Sequence, residues 1–330
     1  MFTKSTINYL FFGLCSFFCF TISHAQNVDV STSQPAGENY KWWTEQEEKE
    51  VREWSVRNNK NIQWKVPLEE TGQSGIIRVG DLLFLSIMKP VYDTITKTCS
   101  DIVALCYNAK TGEKIWENEI KGETESLYMY GFSNSSSPTP VSDGEKVWFF
   151  NASGRLVCFD LDGNKIWERS WTPISKIGDV VYPFNKQYEP ILHKNILVNV
   201  EPEHSENPTE GRNENWHYLV GLDKDSGEVI WKSKAAVGHY STPIAGSTKE
   251  GSYGIMVARI GAAHQVPEKP YGYSLVNIEN GETIWDKAFG IATLLLALFF
   301  GVALGNIVRG VNLGIVTEGV STHEAHYFFL

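Results

Sequence analysis

A run of alternating apolar and polar positions, followed by a polar turn and a tryptophan, occurs four times along the chain. The copies extend from Ala104 to Trp116, from Leu156 to Trp167, from Leu219 to Trp231 and from Ser274 to Trp285. In each copy the alternating run predicts a strand, and the Asn, Asp, Lys and Gly residues after it are typical of a turn. An Ile-Trp pair then begins a second strand in every copy. Each copy is therefore predicted to form a β-hairpin.

A glycine lies four residues before the tryptophan in every copy. Glycine adopts a positive φ at little steric cost, as a tight hairpin turn requires. One hairpin cannot bury an indole ring, whereas stacked sheets can bury it and can supply an acceptor for its N–H group. The repeated residues are therefore predicted to dock each sheet against the next, and they are Gly112, Trp116, Gly163, Trp167, Gly227, Trp231, Gly281 and Trp285.

The tryptophans recur at intervals of 51, 64 and 54 residues, the longest of which includes a polar insert at 201–217. Repeats with a period of roughly 40 to 50 residues are typical of propellers and solenoids. The pattern of apolar strand, Asp or Asn, Thr-Gly or Asp-Gly and then Trp resembles the PQQ-like (pyrroloquinoline-quinone-like) repeat. The resemblance implies an all-β fold, a β-propeller with a tryptophan-docking motif in each blade. Such propellers have up to about eight blades, whereas residues 61–285 hold about four. We therefore predict a partial PQQ-like β-propeller over residues 61–285, followed by one transmembrane α-helix.

Residues 26–60 are predicted to be a leader that includes a short helix. Gln26 to Pro35 is polar and rich in Ser and Thr, and we expect it to be mobile. Apolar residues at helix-compatible offsets in 40–57 predict an amphipathic helix that plugs one end of the propeller or, alternatively, binds a partner. Trp64 follows in a strand-like segment and resembles a docking tryptophan without a hairpin of its own.

Residues 1–25 have the features of a secretory signal peptide. Lys4 precedes an apolar core, and Ser23, His24 and Ala25 form a small-x-small cleavage site before Gln26. An uncleaved anchor is the alternative interpretation. We therefore expect an exported, periplasmic protein.

Three cysteines remain after cleavage of this signal. An odd number leaves at least one thiol unpaired in an oxidising compartment. Cys106 and Cys158 occupy equivalent strand positions in two copies and are predicted to be small core residues, while Cys99 lies outside the repeats. The 330 residues have a net charge of −10 and contain no basic run, so we predict no nucleic-acid partner.

Residues 286–330 differ in character from the repeats. Residues 288–308 carry no charge and are long enough to span a bilayer as a helix. Gly301 and Gly305 have the small-residue spacing of close helix packing in membranes, and Asn306 is a polar residue near one end. The sequence therefore predicts a transmembrane helix with a short tail, which would associate the protein with a membrane.

The segment 285–330 resembles subunit II of the cytochrome bd quinol oxidases. The resemblance rests on a Trp-Asp start, an apolar span, the sequence GVALGN followed by RGV, and a closing YFFL. About one helix of that subunit is present, so no oxidase chemistry is implied. Both resemblances are interrupted near Trp285. A fused gene or an assembly join explains both interruptions together, and a natural membrane-anchored half-propeller is the alternative.

Few residues suggest chemistry of their own. His204 and His217 lie among glutamates in 201–217, where a divalent cation could bind, but no ligand spacing is present and a solvated loop is the preferred interpretation. Asp160 to Gly163 lacks the rest of a calcium loop, and His323 to His326 lacks the zinc-protease spacing. We predict no catalytic or metal site. Cofactor-binding residues stay unassigned, and PQQ is not expected in half a ring.

The favoured hypothesis is a non-enzymatic binding or scaffold module, similar to the propeller of the outer-membrane β-barrel assembly machinery. It would act through exposed loops and blade edges on a protein partner or a second propeller half. One alternative is a fragment of a quinoprotein (PQQ-dependent) dehydrogenase. Another is a fused or misjoined fragment of cytochrome bd ubiquinol oxidase subunit II, from respiratory electron transport.

Overall fold

The computed structural model contains strands, turns and extended segments, and no helix in the part of the chain that it describes. This confirms the all-β prediction for that part. The described residues are 33–35, 37, 53–91, 99–124, 134–172, 176–177, 180–181, 189–202, 217–237, 243–248, 251–259 and 272–288.

Four antiparallel sheets of four strands follow one another along the chain, and we call them blades 1 to 4. Blade 1 contains β1 (Ile77–Val79), β2 (Leu82–Met88), β3 (Ile102–Asn108) and β4 (Lys114–Ile120). Blade 2 contains β5 (Val141–Ser142), β6 (Lys146–Asn151), β7 (Arg155–Asp160) and β8 (Lys165–Ser170). A two-stranded ribbon follows, of β9 (Lys176–Ile177) and β10 (Val180–Val181). Blade 3 contains β11 (Ile191–His193), β12 (Ile196–Pro202), β13 (His217–Asp223) and β14 (Val229–Val237). Blade 4 contains β15 (Ile244–Ser247), β16 (Tyr253–Arg259), β17 (Gly272–Asn277) and β18 (Thr283–Ala288).

The core lies between consecutive blades. In each blade the docking tryptophan pairs with a residue of the third strand, which pairs in turn with one of the second strand, and that one with a residue of the first. We call these four residues, which lie side by side across the sheet, the front row. The front rows are Ile77, Phe84, Cys106 and Trp116 in blade 1; Val141, Trp148, Cys158 and Trp167 in blade 2; Ile191, Val198, Gly221 and Trp231 in blade 3; and Ile244, Met256, Leu275 and Trp285 in blade 4.

Each of the first three front rows packs against the opposite face of the following blade. The row of blade 1 lies against Val147, Phe149 and Phe159 of blade 2, and the row of blade 3 lies against Ile255 and Val276 of blade 4. Because the middle strands of blades 2 and 3 have apolar sheets on both sides, β7 and β13 are buried along nearly their whole length. Burial in β17 instead alternates between buried and half-buried positions.

The first strands of the blades lie on the inner side of this arrangement, where β5 contacts both β1 and β11. The leader reaches this inner side. Ser33 and Gln34 are buried, and the carbonyl of Ser33 accepts a hydrogen bond from the Ser142 N–H of β5 at 2.8 Å. These leader residues are therefore packed, contrary to the predicted mobility, because their polar groups complete the hydrogen bonding of the inner strands.

The end of the predicted amphipathic helix has a different structure. Ser55 and Lys60 pair through two backbone hydrogen bonds and enclose a turn, which Asn59 supports with a φ of +54°. Asparagine favours turns because it tolerates the left-handed region. Residues 53–57 therefore lead into this turn or belong to it, and the helix prediction is wrong for them. Trp54 is exposed. Residues 40–52 lie outside the described part of the chain.

Within the described ranges, no helix has the length and apolar character needed to cross a membrane. Strand β18 continues to Ala288, three residues past the last docking tryptophan. The rest of the predicted span, with Gly301, Gly305 and Asn306, lies outside the described residues, as does the predicted signal peptide.

Candidate functional site

Each of the first three repeated tryptophans contacts the hairpin turn of the following blade and donates its indole N–H to it. Nε1 of Trp116, in blade 1, donates to the carbonyl oxygen of Leu161 in blade 2 at 2.9 Å. Its ring lies so close to Gly163 that a Cβ there would be 2.8 Å from Cδ2 of the indole. Equivalent pairs are Trp64 with Ala109 and Gly112, Trp167 with Lys224 and Gly227, and Trp231 with Ile278 and Gly281.

The four hairpin glycines meet two independent requirements. Their φ angles lie between +73° and +87°, in the left-handed region, as the turn chemistry predicts. In addition, the ring of the preceding tryptophan occupies the space that a side chain would need. A larger residue at these positions therefore combines backbone strain with a steric clash.

A β-bulge occurs at the same place in all four hairpins. In blade 1, Tyr107 pairs with Lys114 and Cys106 pairs with Trp116, so Ile115 is the extra residue. The equivalent isoleucines of the other blades are Ile166, Ile230 and Ile284, and all four are exposed. The sequence alone did not indicate this bulge.

The junction between blades 2 and 3 contains additional contacts. The carbonyl oxygen of Lys224 accepts two indole N–H groups, from Trp148 and from Trp167, each at 3.1 Å. Its ammonium group forms an ion pair with Asp143 at 2.8 Å. Hydrogen bonds from Lys146 and Lys224 lower the pKa of the Asp225 carboxyl. This hairpin tip therefore joins the two blades through both apolar and charged groups.

An ion pair between a half-buried arginine and a buried glutamate also joins these two blades. Arg169 of β8 donates to both carboxylate oxygens of Glu201 in β12, at 2.9 and 2.7 Å. Glu201 and His217 are both buried in strands, so the solvated-loop interpretation is wrong for these two residues of 201–217. It failed because β12 and β13 extend further than the polar composition suggested. His204 lies outside the described residues.

Asp160 and the three cysteines contact only groups of the fold itself, and His323 to His326 lie outside the described residues. Asp160 accepts hydrogen bonds from the backbone and side chain of Asn164, which lower its pKa, as expected of a turn residue. Cys106 and Cys158 are core residues as predicted, and burial raises the pKa of each thiol to about 12. Cys99 is buried as well, and none of the three forms a disulfide. No group of three metal-ligating side chains occurs in the described ranges.

The sequence decides the family. Residues 57–233 match the sequence profile of a family described as outer membrane protein assembly factor BamB. The match includes blades 1 and 2 and most of blade 3, which is more than half of the chain. The chain belongs to this family. No curated protein matches it in sequence.

Several solved structures resemble this BamB-family chain. BamB from Moraxella catarrhalis is 14% identical with a TM-score of 0.44, over 69% of this chain and 55% of that one. Quinohemoprotein alcohol dehydrogenase from Comamonas testosteroni is 12% identical with a TM-score of 0.40, over 66% and 35%. The dehydrogenase ADHIIG from Pseudomonas putida HK5 is 12% identical with a TM-score of 0.39, over 68% and 35%. The chain thus spans about half of the first structure and about a third of the others.

Sequence reasoning missed a partly buried carboxylate on the inner side of the BamB-family blades. The N–H of Gly75 donates to Oγ1 of Thr139 at 3.1 Å. Thr139 in turn donates its N–H and its hydroxyl to the two oxygens of Glu189, at 3.0 and 3.1 Å. Burial raises the pKa of the Glu189 carboxyl. The available signal was weak, because Thr139 and Glu189 share only a position before a proline at the start of a blade.

The front row of blade 4 differs from the other three in its exposure. In blade 3 the row is buried, and Trp231 is 7% exposed. In blade 4, Trp285 and Ile244 are each 40% exposed, and the two residues between them are half-buried. The same apolar row that is covered in blades 1 to 3 is therefore accessible in blade 4.

Proposed function

We propose that the chain is a non-enzymatic scaffold module of the cell envelope that binds a protein partner through the front row of blade 4. Two observations support this proposal. The family to which the chain belongs is described as an assembly factor for outer membrane proteins. The front row of blade 4 is apolar and accessible, whereas its three counterparts are covered by a neighbouring sheet.

The partner's chemistry follows from the three covered rows. Each row packs against an apolar sheet face. In the hairpin of that sheet, a carbonyl oxygen accepts the indole N–H and a positive-φ glycine packs against the ring. A partner for Trp285 would therefore supply an apolar β-sheet with a tight hairpin, as a second propeller half or another envelope protein would. Covering the exposed part of this one indole would contribute about 2 kcal/mol, at about 25 cal/mol per Å².

Photo-crosslinking in cells tests the proposal. A photoreactive residue is placed at position 285, and position 54 is the matched control because Trp54 is also an exposed tryptophan but lies outside the blades. We expect one dominant cross-linked protein from position 285 and none of it from position 54. Co-purification of that protein should fall at least about tenfold in Trp285→Ala. Identical products from the two positions would contradict the proposal.

Membrane tethering through 288–308 is a separate prediction. Because β18 ends at Ala288, the informative truncation ends there and leaves the strand intact. The full chain should fractionate with membranes and the truncated chain should not. Equal distribution of the two would show that this segment is not the anchor.

A further inference from the structure

The leader bridges the inner edges of blades 2 and 3 through a short segment, Ser33 to Pro35 with Gly37, which we call the leader strap. On the side of blade 2, the carbonyl of Ser33 accepts the N–H of Ser142 at 2.8 Å. On the side of blade 3, the carboxamide of Gln34 pairs with the backbone of Leu192. Its Nε2 donates to the carbonyl at 3.3 Å, and its Oε1 accepts the N–H at 3.0 Å.

The edge that holds the strap has buried hydrogen-bonding groups. Ser142 and Leu192 are both buried in the folded chain, and they belong to first strands whose other side is paired within its own sheet. Backbone groups buried without a partner are strongly unfavourable. An open strand edge also acts as a template for an added extended segment. A segment that hydrogen-bonds to the backbone of Ser142 and Leu192 therefore stabilises this edge.

The edge recognises few features of its occupant. It uses one main-chain carbonyl and one carboxamide, whose separate N–H and C=O groups bond the carbonyl and the N–H of the same residue. Among side chains only Gln and Asn carry a carboxamide. After Gln34 the strap turns away, with Pro35 following and the Gly37 N–H bonded to the Gln34 carbonyl at 2.9 Å. None of these contacts depends on the strap belonging to the same chain, because Gln34 and Leu192 are 158 positions apart.

We propose that the inner edge formed by Ser142 and Leu192 is a binding site for an extended segment of a partner protein with a Gln-Pro pair, and that the leader strap is its resident intrachain occupant. This inference rests on the proposed function as a binding module and adds a second surface to it. Exchange with a second copy is disfavoured, because swapping identical straps gains no bond and loses the advantage of an intrachain connection. A foreign segment that makes further contacts along the edge can displace the strap.

A peptide competition experiment tests this site on the full chain. Gln34→Ala weakens the resident strap, and the probe is a fluorescent synthetic peptide of residues 29–38. The control peptide carries Gln34→Glu, which keeps the shape but cannot donate to the Leu192 carbonyl. We expect the probe to bind the variant chain at least about tenfold more tightly than the control peptide, and more tightly than it binds the unmodified chain.

Hydrogen exchange at the Leu192 amide tests whether the peptide binds at this edge. Protection of this amide should fall in Gln34→Ala and return when the probe is added, and Gln34→Glu in the full chain serves as a second variant if the first fails to fold. Equal binding of the two peptides, or no recovery of protection, would overturn the inference. Dimer formation by the variant chain without peptide would assign the site to a second copy and overturn the partner assignment. If any of these outcomes occurs and position 285 still cross-links to its partner, this inference fails but the proposed function is retained.

Discussion

The contact between a docking tryptophan and the next hairpin can be measured with three glycines that differ in one property at a time. Gly246 has neither a positive φ nor any atom within 4 Å of the place that a Cβ would occupy. Gly251 has a φ of +85° and also no atom within 4 Å of that place. Gly227 has a φ of +75°, and its Cβ would lie 2.7 Å from Cζ3 of Trp167. Substitution by alanine therefore separates backbone strain from steric clash.

The expected losses of unfolding free energy follow from these surroundings. Gly246→Ala should change stability by no more than about 0.5 kcal/mol, as for a surface substitution without special features. Gly251→Ala should cost about 1 to 2 kcal/mol, the cost of a left-handed residue with a Cβ. Gly227→Ala has the same backbone cost and an added overpacking cost of about 1 to 3 kcal/mol, because its neighbour is a ring held in the core.

Urea unfolding of the full chain, followed by tryptophan fluorescence, measures these differences. Trp167→Ala alone should cost about 3 to 5 kcal/mol. The double variant with Gly227→Ala should cost less than the sum of the two single variants, since the new methyl group enters the space that the ring has left. If Gly227→Ala is no worse than Gly251→Ala, or if the double variant is additive, the ring contact is not the reason for glycine at this position.

Three further predictions concern buried polar groups. Arg169→Met should cost about 3 to 5 kcal/mol because it leaves the Glu201 carboxylate buried without its cation, and urea unfolding should show recovery in the double variant with Glu201→Leu. Since burial raises the folded pKa of Glu189, its stabilising contribution is present at acidic pH and is lost as the pH rises through that pKa. Glu189→Gln should therefore raise the melting temperature more at about pH 8 than at about pH 4, and equal shifts would contradict the assignment. Cys106 and Cys158, with thiol pKa values of about 12, should react with a thiol reagent only after denaturation, which a colorimetric thiol titration would show.

The repeat accounts for most of what the sequence predicted of the fold. The hairpins, the glycine turns and the succession of four blades each depend on short-range patterns that repeat, and the structure has all of them. The bulge at Ile115 and its counterparts was not predictable in this way. An Ile-Trp pair fits a regular strand as well as a bulged one, and the choice depends on where the next blade places its hairpin.

Contacts between distant parts of the chain were the least predictable. Gln34 lies in a polar segment with no periodicity, and nothing near it in sequence indicates that its carboxamide pairs with Leu192. The same holds for the bonds from Thr139 to Glu189. These groups are brought together by the packing of separate blades, so their roles follow from the tertiary structure and not from local sequence.

The last repeat shows why a motif alone does not decide between stability and binding. The sequence around Trp285 is as good a copy as that around Trp231, and both tryptophans pair with the third strand of their blade. One ring is covered by the following hairpin and contributes to folding, while the other is 40% exposed. The same residue type in the same hairpin therefore serves the core in one blade and, we propose, recognition in the next. Within the described residues, a neighbouring sheet packs against the row of Trp231, whereas none packs against the row of Trp285.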